Sequence, residues 1–86
     1  MIDFKLKDDI DYDDDLVCLI KVDEKGKEVI LFTDIFDSLK EYEMEDYTEE
    51  FEYGRELVDA MDWDKELNCF IYKEFRLYIF EVVVKR

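Results

Sequence analysis

Apolar and polar residues alternate at the start of the chain, with Ile2, Phe4 and Leu6 set against Asp3, Lys5 and Lys7. A period of two puts one set on each side of an extended backbone, so the segment reads as a short strand with one buried face. Residues 8–15 carry six acids and no base and read as a loop. Residues 16–22, apolar but for Lys21, read as a second strand. A turn of hairpin length around Gly26 leads into a returning strand over 28–32.

The period then changes. Thr33 can cap a helix with Asp34 in its first turn, and that helix runs to about residue 42, burying Ile35, Phe36 and Leu39. Asp46 and Glu49 have capping-box spacing. Beyond them Tyr47, Phe51, Gly54, Val58 and Met61 recur in steps of four and three, with Leu57 at the edge, which predicts a helix over about 46–62. Strands follow over 67–72 and 75–84, joined at 73–74. The last is apolar on both faces, so it belongs at the centre of a sheet or under a cover on its second side. The order β-β-β-α-α-β-β predicts one α+β domain over residues 1–86: an antiparallel sheet of four to five strands with two helices on one face.

Charge changes this picture. The 86 residues include 26 Asp and Glu against 12 Lys and Arg, a net charge of −14, and residues 28–72 hold fifteen acids and three bases. Like charges crowded on a small body cost stability, and the same charge dispersed would keep the protein soluble at lower cost. On the predicted second helix Glu45, Glu49, Glu52, Glu56 and Asp59 form a ridge opposite the apolar stripe, roughly 21 Å long at ~1.5 Å per residue. Glu faces Glu along it where a plain exposed helix would pair Glu with Lys. Glu41, Asp46 and Asp62 extend the ridge and Tyr53 lies beside it. These carboxylates rise by roughly 4.5–6 Å where DNA carries a phosphate about every 3.4 Å per strand, and the net charge is of the order of the roughly 18 phosphates on a duplex as long as such a domain. These nine residues are the candidate partner-binding surface; the plain alternative is a solvated helix face with its tyrosines packed along the core edge.

Other chemistry is thinly represented. There is no His, one Ser (Ser38) and no glycine-rich phosphate loop, and Cys18 and Cys69 would lack a His base, so no catalytic residue is assigned and the chain is not expected to be an enzyme. Two Cys without His cannot close a zinc site. Asp9, Asp11 and Asp13 alternate like a calcium loop, but Asp14 stands where that loop needs Gly and Ile20 where it needs Glu, so only loose cation binding remains open. No cofactor or metal is expected. Both cysteines sit in apolar segments and read as buried reduced thiols, which points to a cytoplasmic setting. The first residues do not form a secretory leader and no stretch approaches the ~18 apolar residues of a membrane helix. At −14 the chain is repelled by nucleic acid and by anionic membrane. The expected partner is therefore a basic nucleic-acid-binding protein. Pro is absent and Ala occurs once, while Phe, Tyr, Ile and Lys abound, a bias associated with AT-rich genomes.

Small size, acidity, many aromatics and this bias together resemble the small acidic inhibitors of phages and mobile elements, including DNA mimics and anti-CRISPR proteins. The resemblance is one of composition over the whole chain. It implies a non-enzymatic inhibitor of a nucleic-acid-handling protein, such as a CRISPR effector or restriction nuclease, acting in the host cytoplasm. A second resemblance, through Tyr53-Gly54, Leu57, Asp59-Ala60 and Trp63-Asp64, is to barstar-type immunity proteins. The spacing differs by one residue and the strand order is not that of barstar, so no residue role is carried over. An immunity protein or antitoxin against a basic toxin is the alternative on the same surface. A structural or regulatory subunit is another, with Tyr78, Phe80 and Val82, or else Leu77, Ile79 and Val83, as its interface. A homodimer covering a spare sheet face is compatible with each.

Overall fold

The computed structural model describes the backbone of residues 2–84 and the side chains of residues 4–81. The strands are β1 (Ile2–Lys7), β2 (Leu16–Val22), β3 (Glu28–Ile35), β4 (Asp62–Asp64), β5 (Cys69–Tyr72) and β6 (Phe75–Val84), with helices α1 (Phe36–Lys40) and α2 (Gly54–Ala60) between β3 and β4. All pairings are antiparallel, in the order β3-β2-β6-β5-β4. β1 pairs the far half of β6, Ile2 opposite Val84 through Lys7 opposite Ile79, so β1 and β5 lie end to end along one edge of β6. The protein is α+β as expected, with six strands instead of four or five.

β6 is the central strand, which explains its two apolar faces. Phe75, Leu77 and Ile79 point to one side and are buried; Val17 and Leu19 of β2 pack beside them. Leu39 of α1, Leu57 of α2, Met44 and Met61 close the core from above. The helical layer therefore covers one face of the sheet. Of the two interface sets offered by the sequence, Leu77 and Ile79 are core, whereas Tyr78 and Phe80 face the other side and are half-buried; the side chains of Ile2, Val82 and Val83 lie outside the described residues.

Local chemistry sets the turns. Asp23 accepts the amides of Lys25 and Lys27 at 2.9 and 2.8 Å, and Gly26 takes φ +81°, a conformation that a side chain disfavours. Asp64 likewise accepts the amides of Glu66 and Leu67, both at 2.9 Å, turning the chain from β4 into β5.

Several element bounds differ from the sequence expectation. Thr33 caps no helix: β3 continues to Ile35, whose partner is Leu16, so ladder bonding claims the residues assigned to the first helical turn. α1 ends at Lys40 and buries only Leu39, with Ile35 and Phe36 half-buried. The second helix spans Gly54–Ala60, not 46–62. Eight residues at its expected start are acidic-rich loop, and the like-charged pairs Glu45–Glu49 and Glu49–Glu52, which would weaken a helix, are never brought onto one. Asp62 opens β4 where a helix end was expected, and Trp63 stacks edge-on against its cross-strand partner Phe70 at 5.1 Å. Leu67 is a turn residue and β5 begins at Cys69. β1 forms, but its expected buried face is open: Phe4 is 62% and Leu6 36% exposed.

Candidate functional site

The layer over the sheet, residues 37–62, holds eleven acids and two bases. All eleven carboxylates are exposed. Ten are carried by α1, α2 and the loop 41–53, which closes on itself at a neck, and the eleventh, Asp62, opens β4. Glu43 bridges Tyr53, the Met44 amide donates to the Glu52 carbonyl at 2.9 Å, and the Gly54 amide donates to the Tyr42 carbonyl at 2.8 Å. Met44 plugs the neck and is fully buried, because a loop this polar needs an apolar anchor to stay on the sheet. The Met44 carbonyl then accepts the amides of Tyr47 and Thr48, forming the turn that carries Asp46.

Further contacts at three places hold this loop. Lys21 donates to the Tyr47 carbonyl at 3.2 Å. The Tyr42 hydroxyl donates to the Leu31 carbonyl at 3.0 Å, leaving the Tyr47 hydroxyl to donate to Tyr42 at 3.1 Å. The hydrogen bond with Tyr47 and partial burial push the Tyr42 hydroxyl up to about 12. Glu50 accepts the Tyr72 hydroxyl at 2.6 Å and pairs with Lys73, while Phe51 packs edge-on against Tyr72 at 5.3 Å. The loop is thus tied to β2, β3 and the β5–β6 hairpin, and its carboxylates are presented from an ordered frame.

The Glu50 clasp has a defined pH window. The Lys73 ammonium and the Tyr72 hydroxyl hold the Glu50 carboxyl below its ordinary 4.5, so its contribution is present above that value and lost as pH falls through the lowered one. Glu50 in turn raises Lys73 above 10.5, so that contribution is full below 10.5 and lost as pH rises through the raised value. Glu50→Gln is expected to speed amide exchange at Met44, Tyr47 and Thr48 severalfold at pH 7 while leaving the amides of β6 unchanged. Hydrogen-exchange mass spectrometry checks this, and equal protection in the variant would show that the clasp does not hold the loop.

Outside this segment four of the described acids are ion-paired. Lys7 contacts Asp11 and Asp15, both at 2.9 Å, Lys40 contacts Asp13 at 2.6 Å, and Arg76 contacts Glu28 at 3.1 Å. Burial works against ionisation of Asp15, but Lys7 and the amides of Tyr12 and Asp11 outweigh it and keep the carboxyl below its usual range. The alternating Asp9, Asp11 and Asp13 are drawn apart: Asp9 accepts the Ile10 amide at 2.8 Å, and the other two serve different lysines. No group of three or more metal-ligating side chains gathers among the described residues. Both cysteines are free, Cys69 buried and Cys18 half-buried.

The nine expected site residues are therefore redistributed. Glu56 and Asp59 lie on α2, Tyr53 precedes it half-buried, Glu41 follows α1, Asp62 opens β4, and Glu45, Asp46, Glu49 and Glu52 lie in the loop. Apart from Asp62, which cross-strand register places with Ile71 and Arg76 on the other face of the sheet, they share a layer and not a helical row, so the regular rise of a helix is not their spacing. The neck adds Glu43, adjacent to the Met44–Glu52 hydrogen bond, which helical periodicity had left off the ridge. Ser38, Glu41, Tyr42, Glu43, Asp46 and Tyr47 line an open cavity of about 450 Å³. Among the described residues no helix is long and apolar enough to cross a membrane. No protein-family model, curated protein or solved structure matches the chain.

Proposed function

We propose that this chain is a non-enzymatic inhibitor that binds a basic nucleic-acid-handling protein, its carboxylates occupying the place of phosphates. The observation that supports it is the imbalance of the helical layer. Of eleven exposed acids in 37–62, only Glu50 lies at ion-pair distance from a cation among the described residues. The two bases of the segment are engaged elsewhere, Lys40 with Asp13 and Arg55 with the Lys40 carbonyl at 3.3 Å. Ten carboxylates are thus free to accept charge-assisted hydrogen bonds from Lys and Arg of a partner. The anchored loop lowers the ordering cost of binding, since the acids need not be gathered when the partner arrives.

The target class is a nuclease or effector whose groove receives DNA or RNA, met in the cytoplasm of a host cell, and the mechanism is competition for that groove. The experiment is capture of proteins by the immobilised chain from a nuclease-treated bacterial lysate, with mass identification of what a salt step elutes. Basic nucleic-acid-binding proteins are expected to elute first between 0.15 and 0.5 M NaCl, over which the Debye length falls from about 8 Å to about 4 Å. Retention of neutral proteins only, unaffected by salt, would overturn the reading.

A further inference from the structure

Among the described residues nothing covers the face of the sheet opposite the helices. The thinnest dimension of the molecule is 19 Å, which is one sheet and one helical layer. Cross-strand register places Phe4 and Leu6 of β1, Tyr78 and Phe80 of β6, Leu16 and Cys18 of β2 and Thr33 and Ile35 of β3 on that side. Phe4 is 62% exposed, and Phe4, Leu16, Val17, Thr33 and Phe80 line an apolar groove of about 310 Å³. In a chain with 26 acids, none of these residues is charged; of the charges that register places on this face, Arg76 and Glu28 pair at 3.1 Å at one end, and Asp62 and Asp64 lie on β4, beyond β5.

We propose that this face is an interface between two copies of the chain, packed sheet to sheet about a twofold axis. Three observations select a second copy as the occupant. The first is charge. A partner drawn by the field of a −14 protein is steered to the acidic layer on the opposite side, whereas the open face offers an apolar partner no repulsion. The second is the placement of that charge once two copies meet. Sheets pack about 10 Å apart and each helical layer adds about 10 Å, so the two acidic layers end roughly 30 Å apart, several Debye lengths at 0.15 M salt. The third is area. β3, β2 and β6 lie side by side over six residues and β1 extends the far half of β6, so at ~4.8 Å by ~3.4 Å per residue the staggered patch presents roughly 400 Å² in projection on each copy. The pair reaches roughly 800 Å² before side-chain relief is counted, close to the ~1,000 Å² of a specific interface. An identical patch is self-complementary by symmetry, with Phe4 and Phe80 as its aromatic anchors.

The salt response separates this inference from the proposed function. Salt weakens binding through the acidic layer, whereas it screens the residual repulsion between two copies and leaves apolar packing in place. Sedimentation velocity from 1 to 200 μM is expected to show conversion from the 10.6 kDa monomer to a species of twice that mass, with the midpoint moving to lower concentration at 0.5 M NaCl. Phe4→Asp changes an exposed side chain, so it retains the fold, checked by its unfolding midpoint, and is expected to weaken dimerisation on the order of tenfold or more. Phe4→Leu is expected to retain most of it. Glu49→Lys with Glu52→Lys is expected to leave the dimer intact. A monomer at every concentration and salt, or a dimer indifferent to Phe4→Asp, overturns the proposal. So does a monomer whose Phe4→Asp variant loses a different captured protein, because the occupant is then not a second copy.

Discussion

Gly54→Ala is expected to destabilise the domain by about 3 kcal/mol, a large fraction of the ~5–15 kcal/mol available to a small fold. A Cβ built on Gly54 would stand 2.1 Å from the Leu39 carbonyl oxygen and 3.1 Å from both the Leu39 carbonyl carbon and its Cδ1. The clash is with backbone, so rotation of a side chain cannot relieve it. Either α1 or α2 must move, and Leu39 and Leu57, which fix them to the sheet, are both fully buried. Helix propensity alone argues for the opposite sign, since Ala is better than Gly by about 1 kcal/mol within a helix. The close approach outweighs it. At roughly 4–8 °C per kcal/mol for a domain of this size, the melting temperature should fall by more than 10 °C. Thermal and urea unfolding check this, with Gly26→Ala as the comparison. Gly26 has nothing within 4 Å and only its φ of +81° to lose, so that change should cost about 1 kcal/mol. A Gly54→Ala protein as stable as the parent would mean the two helices do not touch there.

Glu49→Lys combined with Glu52→Lys should weaken inhibition of the basic partner by about two orders of magnitude while leaving the unfolding midpoint within about 0.5 kcal/mol of the parent. Both side chains are exposed, and neither makes an ion pair among the described residues, so reversal removes no intramolecular partner. Reversal relieves repulsion within the layer and opposes the groove that the layer is proposed to enter. Stability and binding therefore separate in one variant. An inhibition assay on the captured partner reads the second effect, and circular dichroism reads the first. Unchanged inhibition would move the site away from the loop.

The strands were legible where two independent signals agreed. β2 and β6 alternate or run apolar between polar turns, and their observed bounds, Leu16–Val22 and Phe75–Val84, are those read from the pattern. The hairpin at 23–27 was legible because Gly26 supplies the positive φ its turn needs. β4 was not, because Asp-Trp-Asp is three residues long and becomes a strand only through pairing with β5. The second helix failed for an instructive reason. Tyr47 and Phe51 fall at helical spacing, yet they pack on the core from a loop, tied down by Lys21, Tyr42 and Tyr72 at distant positions. Periodicity cannot distinguish an apolar stripe from apolar anchors that happen to share its spacing. The like-charged neighbours of 45–52, whatever surface they offer a partner, also count against a helix forming there. The set of acids in the candidate site was therefore legible from composition, but their arrangement was not. The pattern likewise gave β1 one apolar face and β6 two without saying whether a second layer covers them.

The acidic layer explains both the unpaired carboxylates and the anchoring of an otherwise costly loop, and both bear on one claim: a basic groove receives this layer in place of nucleic acid. Fluorescence anisotropy of labelled nucleic acid bound to the captured partner, titrated with this chain at 50, 150 and 500 mM NaCl, tests it most directly. The account expects full release of the nucleic acid, with the chain's affinity falling by about tenfold or more across that range and lost in the Glu49→Lys, Glu52→Lys variant. A ternary complex that retains the nucleic acid, or release that ignores both salt and the variant, would contradict it.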